Sequence, residues 1–176
     1  MTIVCRAMAS IAMMLMAVAA SAQTASLDEI VDKLRTRGYV LVLRHGATHA
    51  DQADTDPLNL DNVAKQRQLN DKGRADARAL GDALKRAGVP IGKVYSSRFQ
   101  RAIETARLVA GKEPETTVPE AGTNTLIVTH RPNILDALGK DYFDVREGET
   151  SIFKPAGSGA YTLVGRVQIA QWATLK

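Results

Sequence analysis

The chain has 176 residues, of which 45% are hydrophobic and 24% are charged, and these proportions are typical of a folded globular protein. Its formal net charge is only +4, and its Lys and Arg residues form neither a run nor a stripe with interleaved aromatic side chains. This distribution argues against nucleic acid as a partner. A modest excess of basic residues suits anionic substrates.

The first 22 residues have the features of a secretory signal peptide. Arg6 supplies the positive charge before an apolar run, and Ala20, Ser21 and Ala22 form a small-residue cleavage site. The uncharged run 7–22 is shorter than the ~20 residues that span a bilayer, which disfavours a transmembrane anchor. We therefore expect export, most simply to a bacterial periplasm, and no stable membrane insertion after cleavage.

Residues 23–176 are predicted to form one domain, since about 150 residues suit a single hydrophobic core. The only cysteine, Cys5, lies in the predicted signal peptide. The predicted domain therefore has no thiol for a disulfide bond, a nucleophile or a thiolate metal site.

Apolar periodicity predicts helices that alternate with strands. A capping box formed by Ser26 and Glu29 opens a helix over 27–36, Asn70 caps a helix that runs through residue 84, a helical pattern covers 99–109, and Pro132 opens a fourth helix. Strands are predicted at 39–43, 93–97 and 125–129, with two more in 151–153 and 160–172. The first strand is an unbroken apolar run and is expected to be buried on both faces.

This alternation predicts a layered α/β fold with a mostly parallel sheet. In open parallel sheets, ligands bind beyond the carboxyl ends of the strands. The three buried strands each deliver polar residues at that end. These residues are Arg44 and His45 after the first strand, Ser96, Ser97 and soon Arg101 after the second, and His130 after the third.

Such a cluster suits a phosphate group. Two arginines match the oxygens of a phosphate and keep their charge, and two histidines supply a nucleophile and a donor. Gly46 would let a phosphate approach the backbone, so that His45 could attack phosphorus and form a phosphohistidine for water to hydrolyse. Taken singly, a histidine at a strand end is more often a core residue, and Arg98 and Arg101 read as a solvated helix face. The convergence of three segments argues against those readings.

Three motifs carry a resemblance to a known family. Residues 43–46 read Leu-Arg-His-Gly, residues 96–102 read Ser-Ser-Arg-Phe-Gln-Arg-Ala with Thr105 and Ala106 following, and residues 128–130 read Val-Thr-His. Together they resemble the signature of the histidine phosphatase, or phosphoglycerate mutase-like, superfamily. The resemblance implies a three-layer α/β/α sandwich. It also implies a phosphate pocket of Arg44, His45, Arg101 and His130, with His45 phosphorylated and Arg98 at the rim.

The interval 111–125 departs from that family, whose members usually carry an acid and a further helix there. No helix fits the interval, and a strand at 116–118 would leave too few residues for a parallel crossover, which takes ~10–12. Either that strand is absent or irregular, or the chain has lost a helix between 111 and 125. The sequence therefore does not identify the general acid. Asp51 is the first candidate, because the small phosphohistidine phosphatases of the family carry an acid six residues past their histidine, and Glu120 is the second.

Asp54 lies on the same loop as Asp51, and solvated loop carboxylates are an equally good reading of these residues. Arg131, which follows His130, argues against the branch that places an Asp there. His49 stands four residues from His45 but reads as loop, so we expect no metal site and no cofactor. Thr48 could offer a hydroxyl to the pocket.

The sequence therefore predicts a metal-independent phosphatase that hydrolyses phosphate monoesters through phospho-His45. Its expected partner is a small phosphorylated substrate or a phosphorylated surface glycan. The alternative is a protein that binds phosphate or another anion without turnover, having lost its general acid.

Overall fold

A computed structural model of the protein describes residues 25–114, 123–156 and 160–175. The predicted signal peptide, Glu120 and most of the interval 111–125 lie outside the described residues. The helices are α1 Leu27–Arg35, α2 Asp71–Arg86, α3 Gln100–Ala110, α4 Arg131–Leu138 and α5 Ile169–Trp172, and the strands are β1 Val40–Arg44, β2 Ile91–Ser96, β3 Asn124–Thr129, β4 Thr150–Pro155 and β5 Tyr161–Val167. Within these ranges, no helix is both long and apolar enough to cross a membrane.

The helix ends follow the local signals of the sequence. The side chain of Ser26 accepts a hydrogen bond from the backbone of Glu29, whose own side chain accepts one from the backbone of Ser26, so the predicted capping box is confirmed. Asn70 caps α2 by accepting a hydrogen bond from Gly73. The left-handed backbone of Gly111 ends α3.

The sheet has five strands in the order β2-β3-β1-β4-β5. Strands β2, β3 and β1 are parallel neighbours, whereas β4 runs antiparallel to both β1 and β5. Only β4 among these strands therefore runs against the others, and the predicted mostly parallel α/β fold is confirmed. The carboxyl ends of β2, β3 and β1 meet at one edge of the sheet.

The helices form layers on both faces of this sheet. Helices α1, α2, α3 and α5 pack in the main core, which includes Leu41 and Leu43 of β1. Helix α4 and the short helix Lys140–Tyr142 pack on the opposite face, against Val40, Val42 and Phe153. Since this second layer is small, Val40 and Val42 stay half-buried, and the prediction that β1 is buried on both faces is wrong on this side.

The last predicted strand, 160–172, is correct only in its first half. Strand β5 ends at Val167 and is followed by α5. Ile169 and Trp172 are both buried in the main core. Their spacing of three residues places them on one face of a helix, which explains why the chain leaves the extended conformation here.

Candidate active site

The four residues predicted to hold a phosphate come together at the carboxyl edge of the sheet. His45 follows β1 and His130 follows β3, and their ring centroids are 5.0 Å apart. Arg101 lies in the first turn of α3, directly after the loop that leaves β2. Its guanidinium carbon is 4.5 Å from the centroid of the Phe99 ring, and that ring is 5.1 Å from the ring of His130. Arg44 completes the group as the last residue of β1.

The tautomer of His45 follows from one contact. Its Nδ1 atom lies 2.8 Å from the carbonyl oxygen of Gly46. A carbonyl oxygen only accepts hydrogen bonds, so Nδ1 carries the proton and the lone pair resides on Nε2. Among the described residues Nε2 has no hydrogen-bond partner. The ring is therefore held with its nucleophilic nitrogen free.

Burial keeps both histidines neutral. His45 is 2% exposed, and desolvation lowers its pKa to about 3 against the opposing effect of the hydrogen bond to Gly46. Desolvation also lowers the pKa of His130 to about 4, with the charge of Arg101 as the second cause. Both imidazoles are consequently uncharged at pH 7, as a nucleophile at position 45 requires.

His130 is oriented by Ser97, the residue directly after β2. Its Nε2 atom and the hydroxyl oxygen of Ser97 are hydrogen-bonded at 2.5 Å. Its Nδ1 atom is buried and has no hydrogen-bond partner in the described part of the chain. A buried ring nitrogen without a partner is costly, and a ligand oxygen in the pocket would remove that cost.

Each of the two arginines contacts a carboxylate. Arg44 donates from Nη1 to the carbonyl of Val145 at 2.8 Å, and its Nη2 is 3.4 Å from the carboxylate of Glu147. Arg101 donates from Nη1 to Asp54 at 2.9 Å. The Nε atoms of both arginines are buried without a partner among the described residues. Each guanidinium therefore keeps unused donor capacity.

A threonine connects the segment after His45 to α3. The hydroxyl of Thr105 accepts a hydrogen bond from the backbone N–H of Gly46 at 3.1 Å and donates to the carbonyl of Arg101 at 2.7 Å. Thr105 is completely buried. It thus fixes the segment after β1 relative to α3, which explains why a threonine stands at this place in the second motif.

These residues open into one pocket of about 600 Å³. Its lining combines the predicted phosphate-binding residues with residues from the long loop, from the start of α3 and from the start of α4. The lining residues are Arg44, His45, Leu60, Arg67, Ser97, Arg98, Phe99, Arg101, His130, Arg131, Pro132 and Asn133. The predicted rim position of Arg98 agrees with this lining.

The predicted general acid lies away from this pocket. Asp51 is exposed and does not line it, so the geometry lends no support to its predicted role. Asp54, three residues later, contacts Arg101. Although burial raises the pKa of Asp54, hydrogen bonds from the backbone of Arg67 and from Arg101 lower it further, and the net pKa is below the usual value. Asp54 is therefore ionised as long as Arg101 holds it.

Glu147 is a site residue that sequence reasoning missed. Besides approaching Arg44, it accepts hydrogen bonds from the hydroxyl of Thr48 at 3.0 Å and from its backbone N–H at 3.3 Å. Thr48 therefore turns its hydroxyl to Glu147 instead of the pocket. No motif points to Glu147, because it belongs to the irregular segment before β4.

His49 takes no part in the pocket lining. Its backbone N–H donates to Gln68 within the long loop. Across the described ranges, no three His, Cys, Asp or Glu side chains are grouped in a way that could hold a metal ion.

Comparisons with known proteins concern the sequence of part of the chain and the fold. A model of the histidine phosphatase superfamily (branch 1) matches residues 40–124. The structure of the protein histidine phosphatase SixA complexed with tungstate superimposes with a TM-score of 0.58 at 21% identity, covering 76% of this chain and 98% of that chain. The chain is therefore similar to the histidine phosphatase superfamily in sequence over residues 40–124, and it shares the fold of the SixA structure over 76% of its length. A mutant phosphoserine phosphatase from Entamoeba histolytica, in complex with phosphoserine, superimposes with a TM-score of 0.53 at 16% identity over 74% of this chain and 97% of that chain. No curated protein sequence matches the chain significantly.

The superfamily match does not include all three motifs. It spans the first two motifs and ends at Asn124, before the third motif. His130 nevertheless lies beside His45, because β3 is the parallel neighbour of β1 in the sheet. The sheet topology therefore brings the predicted residue of the third motif to those of the first two.

Proposed function

We propose that the protein is a metal-independent phosphatase that hydrolyses phosphate monoesters through a phosphohistidine on His45. The observation that carries the proposal is the fixed tautomer of His45. Its Nδ1 atom donates to Gly46, and its free Nε2 belongs to the same pocket as Arg44, Arg101 and His130. The match of residues 40–124 to the histidine phosphatase superfamily supports the same chemistry.

The first step is an in-line attack on phosphorus. Nε2 of His45 forms a bond to phosphorus while the ester P–O bond breaks, and the leaving oxygen takes up a proton. In the second step water attacks phosphorus, the N–P bond breaks, and inorganic phosphate leaves. Arg44, Arg101 and neutral His130 bind the equatorial oxygens and offset their charge without a metal ion.

Asp54 is the carboxylate best placed to supply the proton. When a phosphate dianion binds, Arg101 can transfer its hydrogen bond from Asp54 to the phosphate. This transfer removes one of the interactions that hold the pKa of Asp54 low, so protonation becomes easier as the substrate enters. Asp51, the acid predicted from the sequence, has no comparable contact with the site.

A second candidate function is phosphate binding without turnover. The observation that favours it is the pocket lining, which contains arginines and histidines but no carboxylate among the described residues. In that case Asp54 and Glu147 would serve only to hold the arginines in place. The two functions differ in one measurable property, the release of an alcohol from a phosphate ester.

Turnover of 4-nitrophenyl phosphate, with and without a chelator, separates the two candidates. We expect the purified protein to release nitrophenol equally in both conditions, and we expect His45→Ala to reduce the rate by at least about 10³-fold because no nucleophile remains. The control is His49→Ala, which removes a histidine outside the pocket and should leave the rate unchanged. Binding of phosphate without nitrophenol release would favour the second candidate, and loss of turnover on chelation would contradict the metal-independent mechanism.

The proposed function includes an export location and a substrate class. An exported enzyme with so open a pocket suits a small phosphorylated molecule or a phosphate group on a surface glycan. Export rests on the sequence of residues 1–22 alone.

A further inference from the structure

The pocket contains more arginines than one phosphate group needs. Arg44 and Arg101 stand beside the two histidines, and three further arginines line the same pocket. Arg67 comes from the long loop, Arg98 from the loop after β2, and Arg131 from the first position of α4. Arginine stays protonated at any working pH, so the described lining carries five positive charges and no negative one.

Arg67, Arg98 and Arg131, called the outer arginines below, are only weakly neutralised by carboxylates. Arg67 is 4.0 Å from Glu147, which also faces Arg44, so one carboxylate is shared by two guanidinium groups. Arg98 is 3.4 Å from Asp61, and both side chains are largely exposed, so this pair contributes little. Arg131 has no ion-pair partner among the described residues; its guanidinium carbon lies 5.5 Å from the centroid of the Phe143 ring.

The charges of the outer arginines are felt in the same part of the pocket as those of Arg44 and Arg101. Burial lowers the pKa of Arg44 most and the carboxylate of Glu147 raises it, while the charges of Arg131 and Arg67 lower it further, as expected for cations close together. The first residues of α4 also line the pocket, and a helix N-terminus adds partial positive charge there. A pocket of about 600 Å³ has room for a leaving group as well as a phosphate.

We infer that the pocket selects phosphate monoesters whose leaving group carries a second negative charge, and that Arg131 and Arg67 bind that second anionic group. This inference rests on the proposed phosphatase function and specifies the substrate class for the same site. Like charges gathered in one pocket repel each other, and a ligand that brings a second anionic group offsets more of this repulsion than a single phosphate does. The inner residues bind the phosphate that is transferred, and the outer arginines bind the charge on the other side of the ester bond.

Two aryl phosphates that differ in one charge test the inference. The charged substrate is 3-carboxyphenyl phosphate, and its neutral match is 3-carbamoylphenyl phosphate, which has nearly the same size and shape. One additional charge-assisted hydrogen bond predicts about a tenfold or larger preference in kcat/KM for the carboxylate. The preference should shrink as the salt concentration rises toward 1 M, where the Debye length falls to ~3 Å.

Two variants assign the preference to the outer arginines. Arg131→Gln should reduce the ratio of the two kcat/KM values toward one. Arg78→Gln, which removes the same charge from an exposed position of α2, should keep the full ratio. Equal kcat/KM values in the unmodified protein, or an unchanged ratio in Arg131→Gln, would overturn the inference and leave the proposed phosphatase function intact.

A binding measurement keeps the inference testable if neither aryl phosphate is hydrolysed, an outcome that would count against the proposed function alone. Calorimetric titration with pyrophosphate and with phosphate compares a ligand of two linked anionic groups with a ligand of one. Tighter binding of pyrophosphate, lost in Arg131→Gln and kept in Arg78→Gln, would support the second anionic site. Equal affinities would overturn it.

Discussion

The chemistry of His45 is set by its nearest neighbours in the chain and in space. The carbonyl of Gly46 fixes the proton on Nδ1, and burial keeps the ring uncharged. His130 is neutral for the same reason and is oriented by Ser97. One backbone carbonyl therefore fixes the tautomer of the imidazole, and burial away from water keeps the imidazole neutral. These properties have a thermodynamic consequence that is independent of any substrate.

Stability should decrease as the pH falls below the ordinary pKa of histidine. Above about pH 6.5 both histidines are neutral in the folded and unfolded chain. Below it the unfolded chain takes up protons that the folded histidines, with pKa values of about 3 and 4, do not bind. The free energy of unfolding should therefore fall toward pH 4, with a slope of about 1.4 kcal/mol per pH unit for each histidine.

Urea unfolding at several pH values measures this slope. His45→Gln removes one of the two buried groups and should unfold with a shallower dependence between about pH 6 and pH 4. Comparing variant with unmodified protein cancels the contribution of the carboxylates, which both share. Parallel curves would show that His45 titrates as freely in the folded protein as in the unfolded one.

At the scale of elements, the segment that carries His45 lies between the start of α2 and the start of α3. Asn70, the cap of α2, donates its backbone N–H to Ala47 and its side-chain amide to Thr48. A Cβ atom on Gly73 would overlap the backbone of Ala47, so glycine is required where the helix contacts this segment. Thr105 completes the attachment from α3. The position of His45 is therefore fixed from two helices as well as from β1.

The long loop between β1 and α2 decides which carboxylate reaches the site. Asp54 accepts hydrogen bonds from the backbone of Arg67 and from the side chain of Arg101, whereas Asp51 is exposed. We expect Asp54→Asn to lower kcat/KM for an alkyl phosphate by about 10²-fold or more, because an alkoxide needs a proton donor to leave. With 4-nitrophenyl phosphate, whose leaving group is already a weak base, the loss should be much smaller.

Asp51→Asn is the matched control for this prediction, since it makes the same change three residues away. It should leave both substrates unaffected. A larger effect of Asp51→Asn, restricted to the alkyl phosphate, would restore the assignment made from the sequence. Equal losses on both substrates for Asp54→Asn would indicate that Asp54 positions Arg101 and does not donate a proton.

Much of this site could be predicted because its parts lie at the ends of regular elements. Strand periodicity places Arg44 and His45 after β1 and His130 after β3, and parallel pairing brings these ends together. Glu147 and Arg67 could not be predicted, because both lie in irregular segments where no period relates sequence to position. The sequence also could not show which of Asp51 and Asp54 contacts the site, because both lie on the irregular loop between β1 and α2. The half-buried face of β1 depends on the small size of the α4 layer, which strand composition does not reveal.

At the scale of the whole molecule, one sheet edge carries the site and one core supports it. The main core joins β1, β2 and β3 to four helices, so the three segments that bring His45, Arg101 and His130 together are fixed by the same packing. Around this centre the arginines create a positive field that favours anionic ligands. We therefore propose that a phosphoryl group enters this field and is transferred to His45.

Trapping the phosphorylated enzyme tests this transfer. The protein is mixed with an aryl phosphate, quenched in alkali after a fraction of one turnover, digested and mapped by mass spectrometry, since phosphohistidine survives alkali better than acid. We expect one phosphoryl group on the peptide that contains His45, and none in His45→Ala. Steady turnover with no phosphoryl group on His45, or with the group on another residue, would contradict phosphoryl transfer to His45.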